Sequence, residues 1–323
     1  MTQDRESERD YHRPVMAAAV TELMRLVPPG VVVDATFGGG GHARELMKVL
    51  GGGHRILGID RDPAAVAQAE VLRRTVDVSQ IGMPAERVTV REGNFARLDE
   101  ILAEAGVESL VGVLFDFGVS SHHFDEPGRG FSYRLEGPLD MRMDRNDPVT
   151  ASDLVNGLDE SALADLIHRL GEEPAARRIA KAIVAARPIT TTTELAAVIE
   201  RSGPGGRRRL HPARRTFQAL RMEVNKELEA IDSGVRLALA HLAVGGRCIT
   251  ISYHSLEDRL VKGLFAEATK GCVCPPDLPV CGCGASPSYR SLTRGVRKPT
   301  EEEIAANPRA RSARLRATER VGA

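Results

Sequence analysis

The period of the apolar positions changes several times along the chain, and each change marks an element. Between His12 and Pro28, Val15, Ala19, Leu23 and Leu26 recur at helical spacing, and Pro28-Pro29-Gly30 stops the helix. Short aliphatic runs then predict buried strands at Val31–Ala35, Arg55–Asp60, Val88–Glu92 and Leu110–Phe117. Helical stretches at Ala43–Leu50, Ala64–Thr75 and Leu98–Ala105 separate them, with Pro63 near a first turn, where its missing N–H costs little. Strands alternating with helices at this spacing predict a parallel, doubly wound α/β sheet.

The alternation stops at Gly118. Residues 118–147 are rich in Gly, Ser, His and Asp and have no regular period. Thr150 to Arg187 is strongly helical, with Ser152 or Asp153 able to cap one helix and Asp159-Glu160-Ser161 opening another. Pro188 to Glu194 predicts a loop and cap leading into a helix at Leu195–Arg201, and Ser202-Gly-Pro-Gly-Gly206 a linker. Thr216 to Leu242 predicts one long helix, Arg247–Tyr253 a fifth strand and Leu256–Thr269 another helix. Ser312 to Glu319 alternates like a sheet-edge strand. The expected organisation is a tail at 1–10, disordered, and a discontinuous core at 11–135 and 213–323. A small all-α domain is inserted at 136–212. A core that resumes after an insertion suits a largely parallel seven-stranded sheet with an antiparallel last strand.

Charge changes this picture only locally. Lys and Arg number 44, as do Asp and Glu, so the whole chain has no bulk attraction for nucleic acid. Arginines nevertheless cluster at Arg207-Arg208-Arg209 and Arg214-Arg215, and again from Arg290 to Arg316, which predicts local basic surfaces or solvated faces. No apolar run approaches the roughly 20 residues that span a bilayer. The polar segment Thr2–Arg9 has no signal-peptide core, so a cytoplasmic protein without membrane contact is expected. Cys248 stands in an apolar strand and reads as a small buried hydrophobe. Cys272, Cys274, Cys281 and Cys283 form two C-x-C pairs, tighter than the usual zinc spacing; a structural zinc and reduced thiols in a loop are the alternatives.

The candidate chemistry begins at Val31-Val32-Val33-Asp34-Ala35-Thr36-Phe37 and the four glycines that follow. A strand, a glycine turn and a helix start let backbone approach a nucleotide-like cofactor closely. Gly38-x-Gly40-x-x-Ala43 with Asp60 can be fitted to a dinucleotide fingerprint. A methyl-donor site uses the same logic, with an acidic residue closing the second strand for the ribose hydroxyls and a residue near Asn94-Phe95 for adenine. Asp34 closing the first strand, Arg61-Asp62-Pro63 after Asp60, and Asp116 at the carboxyl edge favour the methyl donor.

Long motifs extend this reading. They are Tyr11–Met16, Asp34-x-Thr36-x-Gly38-x-Gly40-Gly41-His42, Phe115–Ser121, Arg129–Ser132, Gly137–Asp144, His211–Ala219, Ser252–Arg259 and Asn307–Ser312. Across nearly its whole length the chain resembles the bacterial small-subunit (16S) ribosomal RNA cytosine-N4 methyltransferase H family. The resemblance implies a Rossmann-like class I methyltransferase core with the inserted helical domain. It implies S-adenosyl-L-methionine as cofactor and methylation of the exocyclic N4 of a cytosine in the decoding region of 16S ribosomal RNA. It leaves a homodimer open. Carried over by position, the cofactor contacts are Gly40, Gly41, His42, Asp60, Phe95, Asp116 and His123. His123 departs from the pattern, since relatives carry glutamine there. Many amino methyltransferases place an Asp/Asn-Pro-Pro-Tyr/Phe segment after the fourth strand, whereas this chain has Asp116-Phe-Gly-Val-Ser-Ser121. Substrate-side candidates are Asp116, Arg142, Asp144, His254 and Ser255, with loop-ordering ion pairs or helix caps as the alternative for the last four. The arginines at 207–209 and 214–215 suit phosphate contacts. Three other classes stay open at this point: a nicotinamide oxidoreductase, a metal-stabilised RNA-binding module on the cysteine loop, and a methyltransferase for small molecules or proteins.

Overall fold

The structure, a computed structural model, describes residues 14–63, 65–67, 87–118, 126–203, 211–271 and 286–322. The chain divides into two compact units, one formed by Met1–Gly118 with Leu228–Ala323 and the other by Val119–Glu227.

The first unit is built on seven strands: β1 (Val31–Asp34), β2 (Arg55–Asp60), β3 (Val88–Glu92), β4 (Leu110–Asp116), β5 (Leu242–Ser252), β6 (Tyr289–Ser291) and β7 (Arg314–Arg320). They hydrogen-bond in the order β3-β2-β1-β4-β5-β7-β6. The pairs from β3 to β5 are parallel, and β7 runs antiparallel to both β5 and β6. Seven strands with an antiparallel last strand match the expectation. The edge position does not, because the short Tyr289–Ser291 strand pairs outside β7. Three residues without an apolar alternation leave too little pattern to predict it.

Side chains alternate across the sheet, so each central strand feeds two cores. Val32, Ile56, Leu114, Ile249 and Ile251 pack on one face with helices α1 (Ala17–Met24) and α2 (Gly41–Val49). Val31, Val33, Leu57, Val113, Phe115 and Cys248 pack on the other, with α3 (Leu98–Glu104) and later helices of the unit. Cys248 is fully buried, and burial pushes its thiol pKa well up, as a small hydrophobe requires. Strand β5 starts five residues earlier than its pattern suggested. Its register on β4 slips between Leu110 and Gly112, which lets residues 243–246 bulge before Arg247 pairs.

The second unit holds α4 (Ala151–Gly157), α5 (Glu160–Gly171), α6 (Ala176–Ala185), α7 (Thr192–Ser202) and α8 (Arg214–Val224). Thr150 and Asp153 form a capping box on α4, Asp159 caps α5, and Thr191 and Glu194 form a second box on α7. The unit is wider than the expected 136–212, because α8 packs on α5. The long helix expected over Thr216–Leu242 is also two helices, α8 and α9 (Glu227–His241). Asn225 ends α8. Its Nδ2 donates to the carbonyls of Met141 (2.7 Å) and Arg221 (2.8 Å), its Oδ1 accepts from Met143 N (2.8 Å), and Lys226 follows at φ 48°. Helices α10 (Ser255–Ala268) and α11 (Glu301–Ala306) also belong to the first unit.

The second arginine-rich stretch is largely paired. Arg290 binds Glu319, Arg297 binds Glu22, and Arg314 and Arg316 share Asp258. Four of its arginines therefore serve the fold rather than a basic surface. No described helix is long and apolar enough to cross a membrane. The tail, Arg207–Arg209, His123 and the four paired cysteines lie outside the described residues.

Candidate active site

The loop between β1 and α2 is shaped by one ring and two left-handed glycines. Gly38 (φ 50°) and Gly40 (φ 70°) take backbone that a side chain disfavours. Phe37 donates its N–H to Ile59 O at 2.9 Å and turns its buried ring under the loop. A Cβ at Gly58 would fall 2.2 Å from that ring, and one at Gly40 would fall 2.9 Å from it. A Cβ at Gly38 or Gly39 would meet nothing within 4 Å, so this part of the loop borders open space.

Three carboxylates close adjacent parallel strands: Asp60 on β2, Asp34 on β1 and Asp116 on β4. Asp60 accepts the N–H of Gly38 at 2.7 Å and that of Asp62 at 2.9 Å. Asp116 is oriented from three sides. Its own N–H donates to Thr36 Oγ1 at 2.7 Å, Tyr253 donates its hydroxyl to Oδ1 at 2.7 Å, and His42 Nε2 lies 3.3 Å from Oδ2. Asp34 is fully buried; Oδ1 accepts from Thr36 N at 3.4 Å, while Oδ2 has no partner among the described residues.

Charge is therefore concentrated with little solvent. Burial pushes the Asp34 carboxyl up to about 6, against the opposing pull of His42 and the Thr36 N–H. Burial also works against an imidazolium at His42, yet the hydrogen bond and charge of Asp116, with Asp34 and Glu45 behind it, leave its pKa raised. Burial and then the Asp116 charge push the Tyr253 phenol well above its usual value, so it stays a donor.

Phe95 stands beside this rim in a 3₁₀ turn, Phe95–Arg97, capped by Asn94, whose side chain accepts from Ala96 N at 2.9 Å. Its ring meets Phe115 edge-on at 5.4 Å and tilts against Phe117 at 6.2 Å. Gly234 of α9 lets that helix approach, since a Cβ there would lie 2.6 Å from Phe95 Cδ2.

Among the expected site residues, the first unit brings together Gly40, Gly41, His42, Asp60, Phe95 and Asp116. His254 and Ser255 follow β5 on the same carboxyl edge, where β5 pairs with β4 through Ile251 and Asp116. His254 is the N-cap of α10: Glu257 N donates to its Nδ1 at 3.4 Å, and Glu257 Oε2 accepts from Tyr253 N at 2.7 Å. Arg142 and Asp144 belong to the helical unit. There Arg142 clasps its own loop through Asp140 and the carbonyls of Arg145 and Asp147, and Asp144 accepts from Asn146 N. Thr36, Tyr253 and the buried role of Asp34 were not singled out as site residues by sequence. All three stand inside the quoted motifs, but only the packing shows that they face Asp116 and each other's charge.

An acidic rim at the carboxyl ends of adjacent parallel strands, beside a glycine turn into a helix, suits a nucleotide-like cofactor, and the match to known proteins makes the chain an S-adenosylmethionine-dependent methyltransferase with a Rossmann-like core. The chain belongs to the MraW methylase family, whose match spans residues 9–321. Among its relatives is the "Ribosomal RNA small subunit methyltransferase H" of Geobacter sulfurreducens, 47% identical over 315 residues, covering 96% of this chain and 99% of the relative. Proteins of the same name from Trichlorobacter lovleyi and Heliobacterium modesticaldum are 46% identical over 321 residues and 44% over 317. They cover 98% and 96% of this chain, and 100% and 99% of the relatives.

The residues fit a cationic adenosyl cofactor. The open side of Gly38 and Gly39 leaves the loop backbone accessible to it, the partly exposed Asp60 adds an acceptor, and the buried Asp34 adds negative charge beneath. Asp60, at the carboxyl end of β2, is the residue type and position that accepts from ribose hydroxyls.

Proposed function

We propose that the chain methylates the exocyclic N4 of a cytosine in the decoding region of 16S ribosomal RNA, within the small ribosomal subunit and in the cytoplasm. The rim of Asp34, Asp60 and Asp116 carries this reading. A sulfonium and an ammonium are cations that such a rim attracts, whereas the pyrophosphate of a nicotinamide dinucleotide is repelled by it. The names of the relatives supply the ribosomal RNA.

S-adenosylmethionine supplies an electrophilic methyl group on its sulfonium. The backbone at Gly40 and Gly41 approaches the amino-acid part, where α2 has no side-chain cap and its first N–H groups suit a carboxylate. Asp60 accepts from the ribose hydroxyls, Phe95 offers its ring to adenine, and His42 and His123 complete the contacts. Asp116 accepts a hydrogen bond from the cytosine amine and offsets the positive charge that grows on N4 during transfer. Tyr253 and His42 hold that carboxylate in one orientation, and Thr36 fixes the backbone that carries it, which favours alignment of a weak nucleophile. N4 releases its proton readily once alkylated, so no base has to be poised beforehand. His254, Ser255, Arg142 and Asp144 are the further substrate-side candidates. The helical unit contacts RNA, and the base enters the site unstacked.

The test uses a tritiated methyl donor and small subunits from cells lacking the activity, followed by nucleoside analysis. Labelled N4-methylcytidine at a decoding-region cytosine is expected. Label in another nucleoside, or none, overturns the reading.

A further inference from the structure

A groove of about 990 Å³ opens on the helical unit between α5, the α5–α6 turn and the start of α8. Arg177, Arg178, Arg214 and Arg215 line it, all exposed. Arg215 faces Glu173 at 3.7 Å. The other three have no ion-pair partner among the described residues, in contrast with Arg290, Arg297, Arg314 and Arg316, which are all matched to carboxylates. Cations left unmatched in a concavity cost self-repulsion unless an anion enters.

The wall is already organised. Glu173 is buried and spends Oε1 on Ala175 N (3.0 Å), so it orders the α5–α6 turn. His211 stacks on Tyr133 at 4.5 Å between ring centres; its Nδ1 accepts from Ala213 N, and Nε2 lies 2.9 Å from Glu200. Both nitrogens of His211 are thus engaged within the unit, which makes its ring part of the wall. Asp165 is the one lining carboxylate with no ion pair among the described residues.

We infer that this groove binds the phosphate backbone of an RNA strand through Arg177, Arg178 and Arg214. The three guanidiniums come from two helices across one concavity, and planar forks of this kind match phosphate oxygens. The inference rests on the RNA reading above and adds where the backbone is held. Contacts of this class position RNA without reading its sequence.

The test measures binding of the full chain to a decoding-region 16S RNA fragment and to an unrelated single-stranded RNA of equal length, over a salt series. Replacing Arg177, Arg178 and Arg214 together with Gln should weaken both RNAs at least tenfold and lower the slope of log affinity against log salt by about 2, at roughly 0.7 per phosphate contact. The matching Lys variant should recover most of the slope. Binding of S-adenosylhomocysteine and the melting temperature should stay at wild-type values, which separates a lost groove from a lost fold. An unchanged slope in the Gln variant overturns the groove. Failure of the wild-type chain to methylate small subunits overturns the RNA reading itself, a separate outcome.

Discussion

The ring of Phe37 fills the space above Gly58: a Cβ at Gly58 would lie 2.2 Å from Phe37 Cδ2 and 2.7 Å from Cγ. Gly58 sits in the middle of β2, paired with Asp34 on one side and Val90 on the other, so the strand cannot back away. Gly58→Ala must displace the ring, which also lies against Gly40, where a built Cβ would be 2.9 Å from it. A loss of about 1–3 kcal/mol is expected from overpacking. Affinity for S-adenosylhomocysteine should fall with it, because the glycine loop rides on that ring. Thermal unfolding and calorimetric titration check both; a neutral variant would mean that Phe37 has room to move.

Asp34 provides a pH signature. The folded chain holds this proton up to about pH 6, whereas the unfolded carboxyl releases it near 3.8, so the folded state binds more protons between these values. Stability contributed by this group falls as pH rises across that window and is level above it, a change on the order of 3 kcal/mol. Asp34→Asn removes the titration. Urea unfolding of the two proteins from pH 4 to 7 should therefore converge or cross in favour of the variant as pH rises. Parallel curves would contradict the buried carboxyl.

His42 titrates with the opposite consequence. Its raised pKa means that the protonated form is favoured by folding, so its stabilising pairing with Asp116 is complete below 6.5 and is lost as pH rises through the folded value. His42→Gln should cost more stability at pH 6 than at pH 9. Equal costs at both would remove the ionic part of the contact.

Tyr253→Phe tests the orientation of Asp116. It deletes one 2.7 Å bond to a carboxylate in a buried setting, about 1.5–3 kcal/mol for a hydrogen bond to a charged group. Turnover should fall about tenfold or more, with a smaller change in the KM for RNA. A variant that alters KM for RNA alone would move Tyr253 from the carboxylate to the substrate.

Gly234→Ala opposes two effects of known size. Helix propensity favours alanine by about 1 kcal/mol. The new Cβ, however, would lie 2.6 Å from Phe95 Cδ2 and 3.0 Å from its carbonyl oxygen, and the backbone atom cannot rotate away. Net destabilisation and weaker binding of S-adenosylhomocysteine are expected, read by melting and titration. A more stable variant with wild-type affinity would show that α9 can shift.

Much of this architecture was legible because periodicity and burial agree. The four parallel strands from Val31 to Asp116 are short apolar runs between helices, and their predicted ends differ from the observed ones by a residue at most. Where a tertiary contact overrides local propensity, the pattern misled. Asn225 carries no strong helix-breaking signal, yet its bonds to Met141 and Met143 divide a helix that looks continuous in sequence. The three-residue β6 exists because β7 offers it an open edge.

By itself the chain's order of residues determined the glycine turn, the acidic strand ends and the alternation that buries both faces of the sheet, because each follows from local spacing. Only the folded structure decided which groups share charge. Asp34, Asp60 and Asp116 are far apart in sequence but close adjacent strands of one sheet, and Thr36 and His42 from the β1–α2 segment converge on Asp116 with Tyr253 from the end of β5. Burial, which no local window records, then raises the Asp34 pKa and makes Phe37 the support of the loop above it.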